Sequence, residues 1–177
     1  MPHFVAFLRG INVGGRSVKK EKLQEAFTSL GFDCVSTYKQ SGNVIFESKS
    51  TNDEEIRAKI EDKLNSMLGY SVVVFIRTIP QLKNIINPDP FKGQEKEGTS
   101  FLVTILPIEA NFPSQLPTII PKSTAQIISE RGKEVFSVTH GGGEGALPNP
   151  FLESKLKVKT TTRNMHVIRE IVEKYGS

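Results

Sequence analysis

The order of strands and helices expected in the first half of the chain restricts its fold more than any other feature. Residues 4–8 form an unbroken apolar run, which is typical of a strand buried on both faces. A glycine-rich turn and an amphipathic helix follow, and we expect Ser17 to cap that helix. Two short strands around residues 41–42, a helix capped by Asn52 and a strand at residues 72–76 complete the series. The order β-α-β-β-α-β predicts a ferredoxin-like unit.

The second half predicts a related but degenerate α+β arrangement. Residues 87–99 are rich in proline, glycine and charge, so we place a boundary there between two halves, 1–88 and 89–177. After it we expect a strand, a proline-spaced connection with room for a short helix, two strands around residues 131–132, and a final helix from near Thr162. The start of this half therefore repeats the order β-α-β-β. Whether the halves share one core, as a single domain, stays open.

Composition limits the classes of function. The formal net charge of the 177-residue chain is +4, which permits an anionic partner without requiring one. Cys34 is the only cysteine, so neither an intrachain disulfide nor a thiolate metal cluster can form. The three histidines lack the spacing of a metal site, and we expect no metal and no cofactor. The apolar run near the start is too short for a signal peptide or a membrane span, so we expect a cytoplasmic protein without a membrane partner.

Residues 10–17 match the P-loop pattern of phosphate-binding proteins, except that Arg16 stands where the pattern has lysine. A forked guanidinium does not replace a compact ammonium at such a site. Moreover, no apolar strand ends in the aspartate that would hold Mg²⁺, and the next elements predict an antiparallel hairpin. These departures argue against a nucleoside triphosphatase. Two interpretations remain, a glycine turn without a ligand and a turn that binds an anion.

Topology predicts where polar side chains converge. In a β-α-β-β-α-β unit, the loop after the first strand and the hairpin between the second and third strands lie at the same end of the sheet. The residues that this brings together are Arg9, Asn12, Gly14, Gly15, Gln40, Ser41 and Asn43. Further candidates for contacting a ligand there come from the second half: Lys155, Arg163 and Asn164. The cluster is rich in donors and poor in general bases, so it suits a phosphate- or carboxylate-bearing small molecule.

Three other interpretations stay open, and for one of them, a homo-oligomeric interaction protein with no ligand, the sequence has no feature that tests it. The asparagines could serve only the turn backbone, with Arg9 paired to a glutamate. Alternatively, the chain could be a nucleic-acid-binding module, since RNA-recognition modules share the β-α-β-β-α-β order. The third strand lacks their basic-glycine-aromatic pattern, however, so the module would use the basic run before the last helix. That run consists of Lys155, Lys157, Lys159 and Arg163. The sequence gives neither the oligomeric state nor a reaction.

Four stretches of the sequence resemble the motifs of a known family. They are residues 7–15 and 38–46 in the first half, and residues 154–156 and 161–164 near the end. Through them the chain resembles the bacterial "domain of unknown function 1697" family over essentially its whole length. The resemblance implies a cytoplasmic α+β protein with two related halves, and it implies no reaction. The family usually carries tryptophan after the closing Arg-Asn pair, where this chain has Met165, so a role of that aromatic residue does not carry over.

Overall fold

A computed structural model describes residues 1–39, 42–141 and 147–177 of the chain. It divides into two units, Met1–Gln81 (unit 1) and Leu82–Ser177 (unit 2). The division falls within α3 (Ile79–Ile86), a few residues before the boundary that the composition predicts at residue 88. No helix in the described part of the chain combines the length and apolar character needed to cross a bilayer.

Unit 1 has the predicted ferredoxin-like order. Its elements are β1 (His3–Arg9), α1 (Lys20–Ser29), β2 (Asp33–Thr37), β3 (Asn43–Glu47), α2 (Asp53–Leu68) and β4 (Val73–Thr78). The strands lie in the order β2-β3-β1-β4, and every neighbouring pair is antiparallel. This is the arrangement in which each helix connects two strands that flank a third.

The core of unit 1 follows from the apolar patterns of its strands and helices. The residues from Phe4 to Leu8 are at most 2% exposed, which confirms that β1 is a buried strand. Leu23 and Phe27 of α1, together with an apolar stripe on α2, pack on one face of the sheet. Asn52 caps α2 as predicted, because its side-chain oxygen accepts the N–H groups of the first turn at 3.1 and 3.2 Å.

The expected start of α1 is wrong. Ser17 does not cap the helix; the N-cap is Lys19, whose side chain makes no capping hydrogen bond. The segment before the helix is instead held by Asn12, whose Oδ1 atom accepts the Val18 N–H at 3.1 Å. Because an asparagine six residues upstream fixes this turn, a local capping rule could not locate the first helical residue.

Unit 2 repeats the sheet of unit 1 with one helix missing. Its elements after α3 are β5 (Thr99–Ile105), β6 (Thr118–Ile119), β7 (Ala125–Arg131), β8 (Glu134–His140), α4 (Asn149–Leu156), β9 (Thr161–Asn164) and α5 (Met165–Tyr175). The antiparallel order β6-β7-β8-β5-β9 contains β7-β8-β5-β9, which matches β2-β3-β1-β4 strand for strand. The second half is therefore related to the first and degenerate, as predicted.

Two details of unit 2 differ from the sequence expectation. The connection between β5 and β7 contains the short strand β6 where a short helix was expected, and its prolines, at positions 107, 113, 117 and 121, remove the donors that a helix needs. The last helix begins at Met165 and not near Thr162, because residues 161–164 pair with β5 as β9. Asn164 caps this helix by accepting the His166 N–H at 3.2 Å.

Candidate functional site

A cleft of about 750 Å³ lies in unit 1, at the end of the sheet where the β1–α1 segment meets the β2–β3 hairpin. The two segments are joined through the strands, since Phe7 pairs with Asn43 and the Leu8 N–H donates to the Gly42 carbonyl at 2.8 Å. We call this feature the basic cleft, because four cationic side chains and one carboxylate line it. They are Arg16, Lys19, Lys20, Lys39 and Glu21.

Arg16 enters the cleft with an oriented guanidinium. Its Cζ atom lies 4.2 Å from the centre of the Tyr70 ring, a cation–π contact, and its backbone N–H donates to the Val13 carbonyl at 3.1 Å. The Tyr70 hydroxyl in turn makes a long hydrogen bond, 3.5 Å, to the Ile11 carbonyl. The planar fork of a guanidinium held in this way can donate two parallel hydrogen bonds to a phosphate or a carboxylate.

The N-terminus of α1 adds to the positive character of the cleft. Lys19, Lys20 and Glu21 all line it, and the side chain of the N-cap residue, Lys19, makes no capping hydrogen bond. The amide groups of the first turn carry the positive end of the helix dipole. Glu21 offsets part of the charge, since its Oε1 atom lies 3.9 Å from the Lys20 Nζ atom at the surface.

The opposite wall is the β2–β3 hairpin, which carries Lys39 in a left-handed conformation with φ of 56°. The hairpin approaches the first loop closely at Gly42, whose φ is +75°. A Cβ atom built there would lie 2.8 Å from the Ile11 Cγ2 atom and 3.1 Å from the Leu8 carbonyl oxygen. Glycine is therefore required both for the backbone conformation and for the contact that forms this end of the cleft.

The structure brings together some of the residues that the sequence analysis selected in unit 1. Asn12 and Asn43 both line the cleft. Each also serves the backbone, since Asn12 accepts from Val18 and the buried Asn43 donates to the Tyr38 carbonyl at 3.0 Å. The other selected residues that the structure describes in this unit, namely Arg9, Gly14 and Gly15, are not among those lining the cleft. Gln40 and Ser41 lie outside the described residues.

The selected residues of unit 2 have different surroundings. Lys155 is exposed on α4, with its Nζ atom 5.7 Å from the Phe151 ring centre. Arg163 is only 9% exposed, and its Nη1 atom donates to the Thr161 hydroxyl at 2.8 Å and to the Thr162 carbonyl at 2.9 Å. Burial lowers the pKa of Arg163 to about 10, so it stays cationic at neutral pH. Asn164 is occupied as the cap of α5.

Unit 2 also contains a smaller cleft, of about 320 Å³, which the sequence analysis did not anticipate. Its lining includes Asp89, Phe101, His166 and Arg169. Asp89 accepts from Arg169 Nη2 at 2.8 Å and from the Phe91 N–H at 2.9 Å. Burial alone would raise the pKa of Asp89, but these two hydrogen bonds and the arginine charge bring it below its ordinary value. Glu95 lines this cleft as well, so two carboxylates, those of Asp89 and Glu95, stand against the single guanidinium of Arg169, and the cleft lacks the positive excess of the basic cleft.

Metal binding finds no support in the part of the chain that the structure describes. There, no three side chains among the histidines, cysteines, aspartates and glutamates form a group suited to hold a metal ion. The donors of the basic cleft are ammonium, guanidinium, amide and hydroxyl groups with a single carboxylate, which is a set suited to anions.

Comparison with known proteins places the chain in a family. The model of a family described as "Protein of unknown function (DUF1697)" matches residues 1–136. The chain belongs to the DUF1697 family. Its fold is similar to that of the conserved bacterial protein SP0830 from Streptococcus pneumoniae, with a TM-score of 0.69 and 18% sequence identity over 100% of this chain and 99% of that one. At this identity the likeness shows the α+β fold alone. No curated protein matches the sequence.

Sequence motifs in this DUF1697 chain do not identify the cations of the cleft. Arg16 stands out in the sequence only as a departure from the P-loop pattern, and no motif marks Lys19, Lys20 or Lys39 as a ligand contact. The available signal was the concentration of basic residues just before the apolar helix positions, together with a lysine directly before the hairpin turn. Combined with the β-α-β-β-α-β topology, that signal places them at one end of one sheet.

Proposed function

We propose that unit 1 binds a small phosphate- or carboxylate-bearing molecule in the basic cleft. One observation supports this above all others: four cationic side chains and one carboxylate line a cleft of about 750 Å³, which is within the size range of small-molecule sites. Four like charges in one concave surface repel one another, and because all four side chains are exposed, solvent screens part of that repulsion. A bound anion would relieve that repulsion.

The alternative, that these polar residues only stabilise turns, accounts for part of the site. Asn12 and Asn43 each bond backbone groups of their own segments, as that alternative requires. It gives no reason for Lys19 and Lys20 to lie at a helix N-terminus that the N-cap side chain does not cap, where a cation is unfavourable next to the helix dipole. An anion bound at this end would interact favourably with both the dipole and the lysines.

The test is a thermal-unfolding screen at physiological salt against inorganic phosphate, sugar phosphates, nucleotides and small dicarboxylates. A ligand at one hundred times its Kd adds about 2.7 kcal/mol to the unfolding free energy. For a chain of this length we expect the midpoint to rise by about 5–10 °C. Arg16→Gln and Lys19→Ala should each weaken the shift.

Lys22→Ala is the matched control, because it removes an equal charge from the exposed face of the same helix and Lys22 is not among the residues lining the cleft. Its shift should equal that of the unmodified protein. If no anion raises the midpoint, or if the shift survives in the Arg16→Gln, Lys19→Ala double variant, the proposal is wrong.

Nucleic-acid binding through the basic C-terminal run is the second candidate. Lys155, Lys157 and Lys159 are exposed, whereas Arg163 is buried and would not reach a nucleic acid at the surface. Binding through three lysines should weaken steeply as salt rises, because neutralised phosphates release counterions. The test is titration with labelled single- and double-stranded oligonucleotides at 50 and 200 mM salt. The control is the variant in which all three lysines are replaced by glutamine. Unchanged affinity in that variant would refute this candidate.

We also propose a cytoplasmic location. The single cysteine, Cys34, is free and exposed, as is usual in a reducing compartment. Cell fractionation with an antibody against the chain checks this, and recovery in an extracytoplasmic fraction would contradict it.

A further inference from the structure

The charge and composition of the basic cleft narrow the class of its ligand. Building on the proposed function, we infer that the ligand is a multiply phosphorylated, hydroxyl-rich molecule of the sugar bisphosphate class, and not a nucleotide. Three features of the cleft support this inference: its charge excess, the distribution of that charge over two walls, and the chemical nature of its uncharged lining.

The charge excess exceeds what one phosphate can balance. Four cations against the Glu21 carboxylate leave a formal excess of three positive charges. A phosphate monoester carries about −1.5 to −2 at neutral pH. A single phosphate therefore leaves part of the excess uncompensated, and a second anionic group on the same molecule compensates it.

The cations are divided between two chain segments. Arg16, Lys19 and Lys20 belong to the β1–α1 segment, whereas Lys39 lies on the hairpin that forms the opposite wall. The cleft is larger than one phosphate ion needs, at about 750 Å³. This arrangement fits a molecule with two anionic ends, one at the helix N-terminus and Arg16 and the other at Lys39.

The remaining lining suits hydroxyl groups better than a base. Ser17, Thr37 and Asn43 supply hydroxyl and amide groups, and none of the described lining residues is aromatic. Two rings lie beside the cations, and each already faces one of them: Tyr70 stacks on Arg16, and the Tyr38 ring centre lies 5.6 Å from the Lys39 Nζ atom. A nucleotide base would thus meet no aromatic side chain among the described lining residues, and stacking on such side chains is a main source of base affinity.

The experiment is calorimetric titration at constant ionic strength, without divalent cations, using paired probes. Fructose 1,6-bisphosphate is compared with fructose 6-phosphate to isolate the second phosphate, and ATP with inorganic triphosphate to isolate the base. We expect the bisphosphate to bind at least tenfold more tightly than the monophosphate, a difference of about 1.4 kcal/mol. ATP should bind no more tightly than triphosphate.

The variant Lys39→Asn tests whether the second phosphate binds at Lys39. Asparagine is chosen because it tolerates the left-handed backbone at this position. This variant should lower the affinity for the bisphosphate by a larger factor than the affinity for the monophosphate, so that the tenfold advantage of the bisphosphate is lost. Equal binding of both sugars, a retained advantage in Lys39→Asn, or ATP binding tenfold more tightly than triphosphate would each overturn the inference but leave anion binding intact. Failure of every probe to bind would instead overturn the proposed function itself.

Discussion

Replacement of Gly42 by alanine should destabilise unit 1 through two separable effects. The first is backbone strain, because the φ of +75° at this position is unfavourable for any residue with a Cβ atom and costs about 1–2 kcal/mol. The second is steric: the new Cβ atom would lie 2.8 Å from the Ile11 Cγ2 atom and 3.1 Å from the Leu8 carbonyl oxygen. Ile11 is buried and the carbonyl belongs to the backbone, so neither can move away freely. We estimate a further 1–2 kcal/mol from this overpacking.

Gly14→Ala is the matched control. The φ of Gly14 is also positive, +60°, but a Cβ atom there meets nothing within 4 Å. This variant should therefore lose only the strain, about 1–2 kcal/mol. Because the chain has no tryptophan, urea unfolding followed by far-UV circular dichroism is the suitable assay. Equal losses of unfolding free energy in the two variants would show that the hairpin does not approach the first loop closely at Gly42, and would refute the steric argument.

Three further predictions concern other parts of the molecule. The negative charge of Glu47 raises the pKa of Cys34, so this exposed thiol should alkylate slowly at pH 7.5. Glu47→Gln should accelerate alkylation, and equal alkylation rates in the variant and the unmodified protein would contradict this prediction. Asn52→Ala should destabilise α2 by about 1 kcal/mol in urea unfolding, whereas Asn52→Asp should not, because aspartate can accept the same N–H groups. The pKa of Asp89 is lowered in the folded protein, so its stabilising effect is present above the unfolded-state pKa and lost as pH falls through the folded one. The unfolding free energies of wild type and Asp89→Asn should thus differ by up to about 1 kcal/mol at pH 6 and converge as the pH falls below about 4. A difference in unfolding free energy that persists at low pH would exclude a stabilising pair between Asp89 and Arg169.

The fold was predictable where a pattern specifies both an element and its neighbours. The run from Phe4 to Leu8 and the stripe of α2 identify a buried strand and a helix that packs on it, because burial on the sheet requires those periodicities. The four strands β7, β8, β5 and β9 of unit 2 follow the same order as those of unit 1. Strand β9 was missed because its residues 161–164 have no apolar alternation, and its identity depends on pairing with β5, which is remote in sequence.

Burial of charge was the least predictable property. Arg163 stands in a basic run and would ordinarily be assigned to the surface. Its position on β9 opposite Val103 places it in the sheet, and its guanidinium is hydrogen-bonded to Thr161 and Thr162 at 2.8 and 2.9 Å. Spacing along the chain does not reveal this, since the lysines beside it remain exposed. The basic run is therefore not one continuous charged surface.

The position of the cleft was predictable from topology, but the residues that give it its charge were not, and the reason is local. The first loop and the hairpin must meet, because β1 and β3 are antiparallel neighbours. Which side chains face the cleft, however, depends on where α1 begins, and that is fixed by the bond between Asn12 and Val18 and not by Ser17. A helix beginning directly after Ser17 would have placed Lys19 inside its first turn, on a face set by the helical period. Because α1 begins at Lys20, Lys19 becomes the N-cap and both lysines line the cleft beside the amide groups that would receive an anion.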